Sequence, residues 1–401
     1  MPFPRRHTLL GVIAGIVAVV ALTGCHSGSG ETRTASVTTE DNPPPPPWVT
    51  ASPGFAGDVD GDLRPGVADA IAILRAVVGI AAATLRMDAD FSGSTTISDA
   101  ILVLRCVVGL QAWPLAQTYA YSAGWGEFGD DDGEFREPAG ITLDPSGNVY
   151  VVDRVRRRVQ VFTSTGELIR GWGEQGTADD QLSYPHGVAH NGVDSLYIAD
   201  LWQHRVQQFA EDGTLLNVWG TNGSAAGEFD QPSAVAMGTD GSVYVTDTVN
   251  DRVQRFQANG TFLTQWGSDG NGNGEFDQPQ GIAVDSSGCV YVADTRNHRI
   301  QKFSAAGTYL GQWGQMGYDE GDFNNPRGLA TDADNNVYAV DQSNSRVQKF
   351  AEDGTWLGHF GGAGSGNGQL DYPRDVAVSA DGRVYVADQF NHRVQVFERQ
   401  Q

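Results

Sequence analysis

Residues 279–314 read PQGIAVD-SSG-CVYVAD-TRNH-RIQKF-SAAG-TYLGQWG. Four short runs rich in Val, Ile, Tyr, Phe and Trp alternate with clusters of Gly, Ser, Asp and Asn. Runs of that composition and length, bounded by turn residues, read as strands, and turns this short join antiparallel neighbours. The stretch therefore predicts a four-stranded antiparallel sheet.

The same plan recurs on both sides without insertion. Pro138, Pro185, Pro232, Pro279, Pro326 and Pro373 are 47 residues apart each time, and so are Asp153, Asp200, Asp247, Asp294, Asp341 and Asp388. Arg158, Arg205, Arg252, Arg299, Arg346 and Arg393 keep the same interval. A constant period of this size marks a repeat architecture, and four strands repeated six times predict blades around an axis, a six-bladed β-propeller. The closing Trp-Gly strand appears at Trp172, Trp219, Trp266 and Trp313, with Phe360 in the fifth unit. The sixth unit lacks one, but Trp125 stands 47 residues before Trp172. The strand holding Trp125 is thus expected to complete the last blade, and the six copies fill residues 117–398.

The motif Val/Ile-Tyr-Val-Ala-Asp-x-x-Asn-His-Arg-Val/Ile-Gln-x-Phe, nearly complete at 290–303 and 383–397, resembles the NHL repeat. Asn297-His298 and Asn391-His392 carry its name-giving pair, while other copies read Arg156-Arg157, Gln203-His204, Asn250-Asp251 and Asn344-Ser345. Asp and Arg placed identically in all six units are expected to tie corners together, since one ligand site would need only some blades. Function is expected where the units differ, on loops ringing one face of the funnel. The residue after the repeated proline is Ala139, His186, Ser233, Gln280, Arg327 and Arg374 in turn. Arg327 and Arg374 in the last two units, with Arg154, Arg156 and Arg157 in the first, would form a local cationic patch once the ring closes. Beside Tyr184, Trp202, Tyr372 and Phe390 it would make a shallow site for an anionic glycan or a peptide. The plainer alternative, a scattered solvated surface, is the one the sequence alone favours.

Ahead of the ring, Arg5-Arg6-His7, the apolar run Leu9 to Leu22 and Leu22-Thr23-Gly24-Cys25 have the layout of an export signal. The ending resembles the lipobox of bacterial lipoproteins, which implies a signal over 1–24, lipidation of Cys25, and a membrane anchored through lipid alone. His26 then favours the outer membrane or cell surface over the inner membrane. Residues 25–54, rich in Ser, Thr and Gly and containing Pro43 to Pro47, read as a stalk.

Between stalk and ring, two acidic segments are offset by 30 residues. Asp58, Asp60, Asp62 and Asp69 occupy positions 1, 3, 5 and 12 of the first; Asp88, Asp90, Ser92 and Asp99 occupy those of the second. A twelve-residue loop with oxygens at those places suits calcium, each loop leading into an apolar helix. The alternative is that the acids only cap helices. The pair resembles the duplicated half-motifs of a type I dockerin, which implies a calcium-binding module over 55–114 and a possible cohesin-type partner. Leu63 at position 6 and Pro65 at position 8 depart from that pattern, so the first site is expected to be weaker. The fold class is mainly β: an NHL-like six-bladed propeller preceded by a small α-helical module.

Composition sets limits. Glycine supplies 51 of 401 residues, which suits a turn-rich β fold, and 49 Asp+Glu against 26 Lys+Arg give a formal charge of −23. Such a balance repels phosphate backbones, so a nucleic-acid ligand is not expected. Three cysteines in three different segments are too few for a disulfide framework. Relatives acting as peptidyl-hydroxyglycine amidating lyases bind zinc through several central histidines, one directly after such a proline. Only His186 matches, and zinc asks for about three protein ligands. The expectation is an exported, monomeric, non-catalytic binding protein with no assigned catalytic residue; the alternative is a metal-dependent lyase or hydrolase working in the funnel.

Overall fold

The computed structural model describes residues 117–400. The expected signal (1–24), the stalk (25–54) and the calcium-loop module (55–114) lie outside the described residues. Cys25, Asp58, Asp60, Asp62, Asp69, Asp88, Asp90, Ser92 and Asp99 therefore do as well.

Twenty-four strands form six four-stranded antiparallel sheets among the described residues. Blade 1 runs outward from the axis as β2 (Pro138–Leu143), β3 (Val149–Asp153), β4 (Arg158–Phe162) and β5 (Leu168–Trp172). Blades 2 to 5 repeat this order between Pro185 and Trp219, Pro232 and Trp266, Pro279 and Trp313, and Pro326 and Gly361. In blade 6, β22 (Pro373–Val378), β23 (Val384–Asp388) and β24 (Arg393–Arg399) take their outer neighbour from the other end of the ring, β1 (Tyr119–Trp125). Tyr119 pairs with Arg399 and Trp125 with Val394, so a hydrogen-bonded ladder joins the two ends. A closed ring leaves only short outer strands as edges, which is how this architecture avoids open sheets.

The core lies between blades. Where blade 6 meets blade 1, Ile141, Val149, Val151 and Phe162 pack on Ala377, Tyr385, Ala387 and Val394, all buried. Each fully buried Val, Ile or Phe contributes about 1.5–3 kcal/mol, so the repeated interfaces hold the ring together. At the axis the inner strands approach so closely that a Cβ on Gly281 would overlap the Arg327 carbonyl. Glycine is used there for the space it leaves.

Polar side chains fix the segments that link one blade to the next. In blade 3, buried Asp247 accepts from Asp230 N at 2.7 Å, Arg252 Nε at 2.7 Å, Gln254 Nε2 at 3.0 Å and Asn250 Nδ2 at 3.0 Å. Arg252 and Gln254 also donate to the Glu228 carbonyl, at 2.9 and 2.6 Å, and so hold the connector against its blade. Burial raises the Asp247 pKa against the lowering effect of those donors. Blades 4, 5 and 6 repeat the Arg–Asp bond at 2.7, 2.7 and 2.9 Å. Blade 1 stretches it to 3.8 Å, and in blade 2 Arg205 Nε is buried with no partner. These two blades carry Arg156 and Gln203 where the other four carry Asn, whose amide locks the aspartate in place. The repeated charges thus tie a blade to its own incoming connector. The histidines reach the next one: His204 and His298 accept from Gln231 N and Asn325 N at 3.2 and 3.1 Å.

Candidate functional site

The six inner strands surround a central channel of about 360 Å³. Each inner strand begins at its repeated proline, so the residues that follow lie within the strands, where the sequence had suggested loops. They sit at the face that also carries the connectors and the loops between second and third strands. Proline suits the start of a strand because its missing N–H removes no ladder bond there.

At that mouth Arg374 of blade 6 reaches His186 of blade 2 and donates to its Nε2, and donates also to Gln280 Oε1 of blade 4 at 3.3 Å. His186 Nδ1 lies 2.8 Å from the Ser233 carbonyl oxygen. In blade 1 the residue after the repeated proline is Ala139, whose short side chain does not reach into the mouth. Arg327 uses Nε on Gln342 Oε1 at 3.0 Å, and Arg154 pairs with Glu137. Gln389 Nε2 supports the same Glu137 at 3.1 Å. Among the described residues neither Arg327 nor Arg374 is ion-paired with a carboxylate.

Charge concentrates accordingly. Burial, then repulsion by Arg327 and Arg154, holds the Arg374 pKa well below its usual value. Burial and Arg154 bring that of Arg327 down to about 10, still protonated at neutral pH. Burial, followed by Arg374 and Arg154, pushes the His186 imidazole well below 6.5, toward the neutral form. Guanidinium groups this close repel one another unless an anion joins them.

Two aromatic pairs stand at the rim. Tyr184 and Trp202 of blade 2 stack with centroids 4.1 Å apart and planes 12° apart, and the Arg154 guanidinium lies 4.9 Å over the Tyr184 ring. Tyr372 and Phe390 of blade 6 stack at 5.0 Å and 29°. Trp202, Tyr372 and Phe390 are 55%, 43% and 45% exposed. Tyr372 has a φ of +49°, a left-handed conformation its repeat counterparts fill with Gln231, Gln278 and Asn325. The conformation therefore belongs to the connector in blades 3 to 6, and Tyr372 is the aromatic residue that occupies it.

Of the residues named from sequence, Arg154, His186, Arg327 and Arg374 are brought together at the mouth, with Trp202 and Phe390 on its rim. Arg156 and Arg157 are turned elsewhere: Arg156 pairs with exposed Asp130 at 3.3 Å, and Arg157 donates to the Ser183 carbonyl at 2.9 Å. Asp375 was missed. It replaces the Gly or Ala found at this place in the other five copies: Gly140, Gly187, Ala234, Gly281 and Gly328. Its Oδ2 accepts from Ile141 N of blade 1 at 3.1 Å, and burial raises its pKa to about 7. The broken repeat pattern is the signal that would have found it. No group of three His, Cys, Asp or Glu side chains able to hold a metal ion occurs among the described residues.

The NHL repeat matches residues 135–162, 229–256, 276–303, 323–350 and 370–397. The second copy, holding Tyr184, His186 and Trp202, falls outside the matched segments. No curated protein matches the chain. Among solved structures, a Bacteroides thetaiotaomicron protein of unknown function is 18% identical, with a TM-score of 0.55 over 71% of this chain and 76% of its own. A gluconolactonase from Xanthomonas campestris is 15% identical, with a TM-score of 0.51 over 73% of this chain and 93% of its own. Likeness at these identities concerns the fold alone.

Proposed function

The described part of the chain is an NHL-repeat six-bladed β-propeller, and from that premise we propose a binding protein that captures an anionic group at the channel mouth. The observation that carries this reading is that Arg327 and Arg374 line the channel mouth without a carboxylate partner, with Arg154 of a third blade near enough to repel both. An incoming anion relieves their mutual repulsion, and the fork of a guanidinium suits carboxylate, sulfate or phosphate. The global charge of −23 opposes the approach of any polyanion at long range, so capture rests on the contacts made at the mouth. A divalent metal is disfavoured at the same place, because three guanidinium groups oppose it and His186 Nε2 is engaged by Arg374.

The rest of the reading concerns the segments before the ring. Lipid on Cys25 would anchor the exported protein, and Asp58, Asp60, Asp62, Asp69, Asp88, Asp90, Ser92 and Asp99 would hold calcium, with a cohesin-type protein as partner of that module. β1 enters the ring at the face opposite the mouth, since its end at Trp125 returns to the connector face. A tether there would leave the mouth free.

Calorimetry of the full chain at low salt against short acidic glycans, polyglutamate and a neutral glucan tests the reading. Binding of an anionic probe that weakens with salt and is lost in Arg327→Gln supports it. No uptake of any anionic probe overturns it.

A further inference from the structure

We infer that the anion taken at the mouth is the carboxylate of an acidic polysaccharide, whose sugar rings stack on the aromatic faces of blades 2 and 6. This rests on the anion-binding reading above and adds the class of ligand.

Aromatic residues occur in only two of the six copies at the pair of positions concerned, and those copies flank blade 1 once the ring closes. Each copy offers two stacked rings, which present a flat, half-exposed face and not a pocket. A flat apolar face with little rotamer freedom suits the C–H face of a pyranose; an aliphatic or aromatic peptide side chain would ask for an enclosure. Peptide strands usually add to a free sheet edge, and at the mouth every inner strand is already paired on its outer side and packed against its neighbours. The arginines belong to the same mouth: Arg154 lies over the Tyr184 ring, and Arg327 and Arg374 line the channel that the rims surround. Arg327 has only its Nε engaged by protein, so its terminal nitrogens remain to take a carboxylate in a fork. Rings joined in a chain with a carboxylate on each would meet both features at once. Tyr372 lies beside Phe390 at the rim, where blades 3, 4 and 5 place the amides Gln231, Gln278 and Asn325 and blade 2 places Tyr184.

The test uses the full chain with short oligogalacturonates, polyglutamate and a neutral galactan, read by calorimetry and tryptophan fluorescence. Trp202 and Phe390 are exposed, so Trp202→Ala with Phe390→Ala leaves the core intact. Oligogalacturonate should bind and the neutral galactan should not; the double variant should weaken binding by about tenfold, and Arg327→Gln by at least as much. Polyglutamate binding as tightly as oligogalacturonate, with no change in the double variant, would overturn the glycan inference while leaving the anion site standing. Oligogalacturonate binding indifferent to all three substitutions would place it elsewhere on the protein and overturn the inference too. Absence of binding by every anion would remove both.

Discussion

Arg374 of blade 6 donates a hydrogen bond to Nε2 of His186 in blade 2, past a first blade whose residue after the repeated proline is Ala139. A guanidinium has no acceptor, so Nε2 must offer its lone pair and the ring proton belongs on Nδ1, which donates to the Ser233 carbonyl. Protonating His186 would set a second N–H against the guanidinium. The folded-state pKa is depressed, so the stability His186 contributes is complete above about pH 6.5 and declines as pH falls below it. Imidazole nitrogen shifts followed by NMR should stay in the neutral range well below pH 6.5. A His186 ring that titrates near 6.5 would contradict the assigned contact.

Asp375 has the opposite sign. Its folded pKa of about 7 exceeds its ordinary value of 3.8, so the folded state holds a proton that the unfolded state releases. Stability from this group is complete below about pH 3.8 and is lost as pH rises toward 7. Asp375→Asn keeps an oxygen for Ile141 N and removes the titration. The variant should unfold at a higher urea concentration than the parent at pH 8, with the gap narrowing toward pH 4. A gap that is constant across that range would show that Asp375 ionises at its ordinary pKa.

The clamps in blades 1 and 3 share their Asp and Arg, but Arg156 stands where blade 3 has Asn250, and the two differ in geometry. Arg252 Nε meets Asp247 at 2.7 Å, whereas Arg158 Nε is 3.8 Å from Asp153. Removing Arg252 leaves a fully buried carboxylate short of its cation, which costs about 3–5 kcal/mol. Arg158→Ala removes carbonyl contacts and a weaker ion pair, and should cost about half as much. Urea denaturation of the two single variants decides this, and equal losses would mean that the repeat charges are equivalent after all.

The period made the fold legible. Forty-seven-residue spacing of Pro, Asp and Arg fixed the number of blades, and Trp125, one interval before Trp172, located the strand that closes the ring. The site was legible in part, because His186, Arg327 and Arg374 stand where the copies disagree. Their meeting was not, since spacing says nothing of channel width or of how far Arg374 reaches toward His186. Arg156 and Arg157 misled because they sit on the loop joining the second and third strands of blade 1, where neighbouring side chains point to different connectors. Asp375 was hidden one residue beyond the position compared.

The last prediction concerns the wall of the channel. Gly281 has no positive φ, so its place is set by space alone: an added Cβ would overlap the Arg327 carbonyl and crowd Gly328 Cα. Gly281→Ala must part the inner strands of blades 4 and 5 or shift Arg327, at a cost of roughly 1–3 kcal/mol. Gly311, on the outer strand Tyr309–Trp313 of blade 4, has nothing within 4 Å of an added Cβ, and Gly311→Ala should be neutral or mildly stabilising by restricting the unfolded chain. Because the proposed anion site includes Arg327, Gly281→Ala should also weaken binding of an anionic probe, whereas Gly311→Ala should not. Thermal denaturation beside anion titration reads both effects. If Gly281→Ala loses stability and keeps full affinity, the blade interface yields without moving Arg327, and the mouth is less rigidly held by the axis than these contacts require.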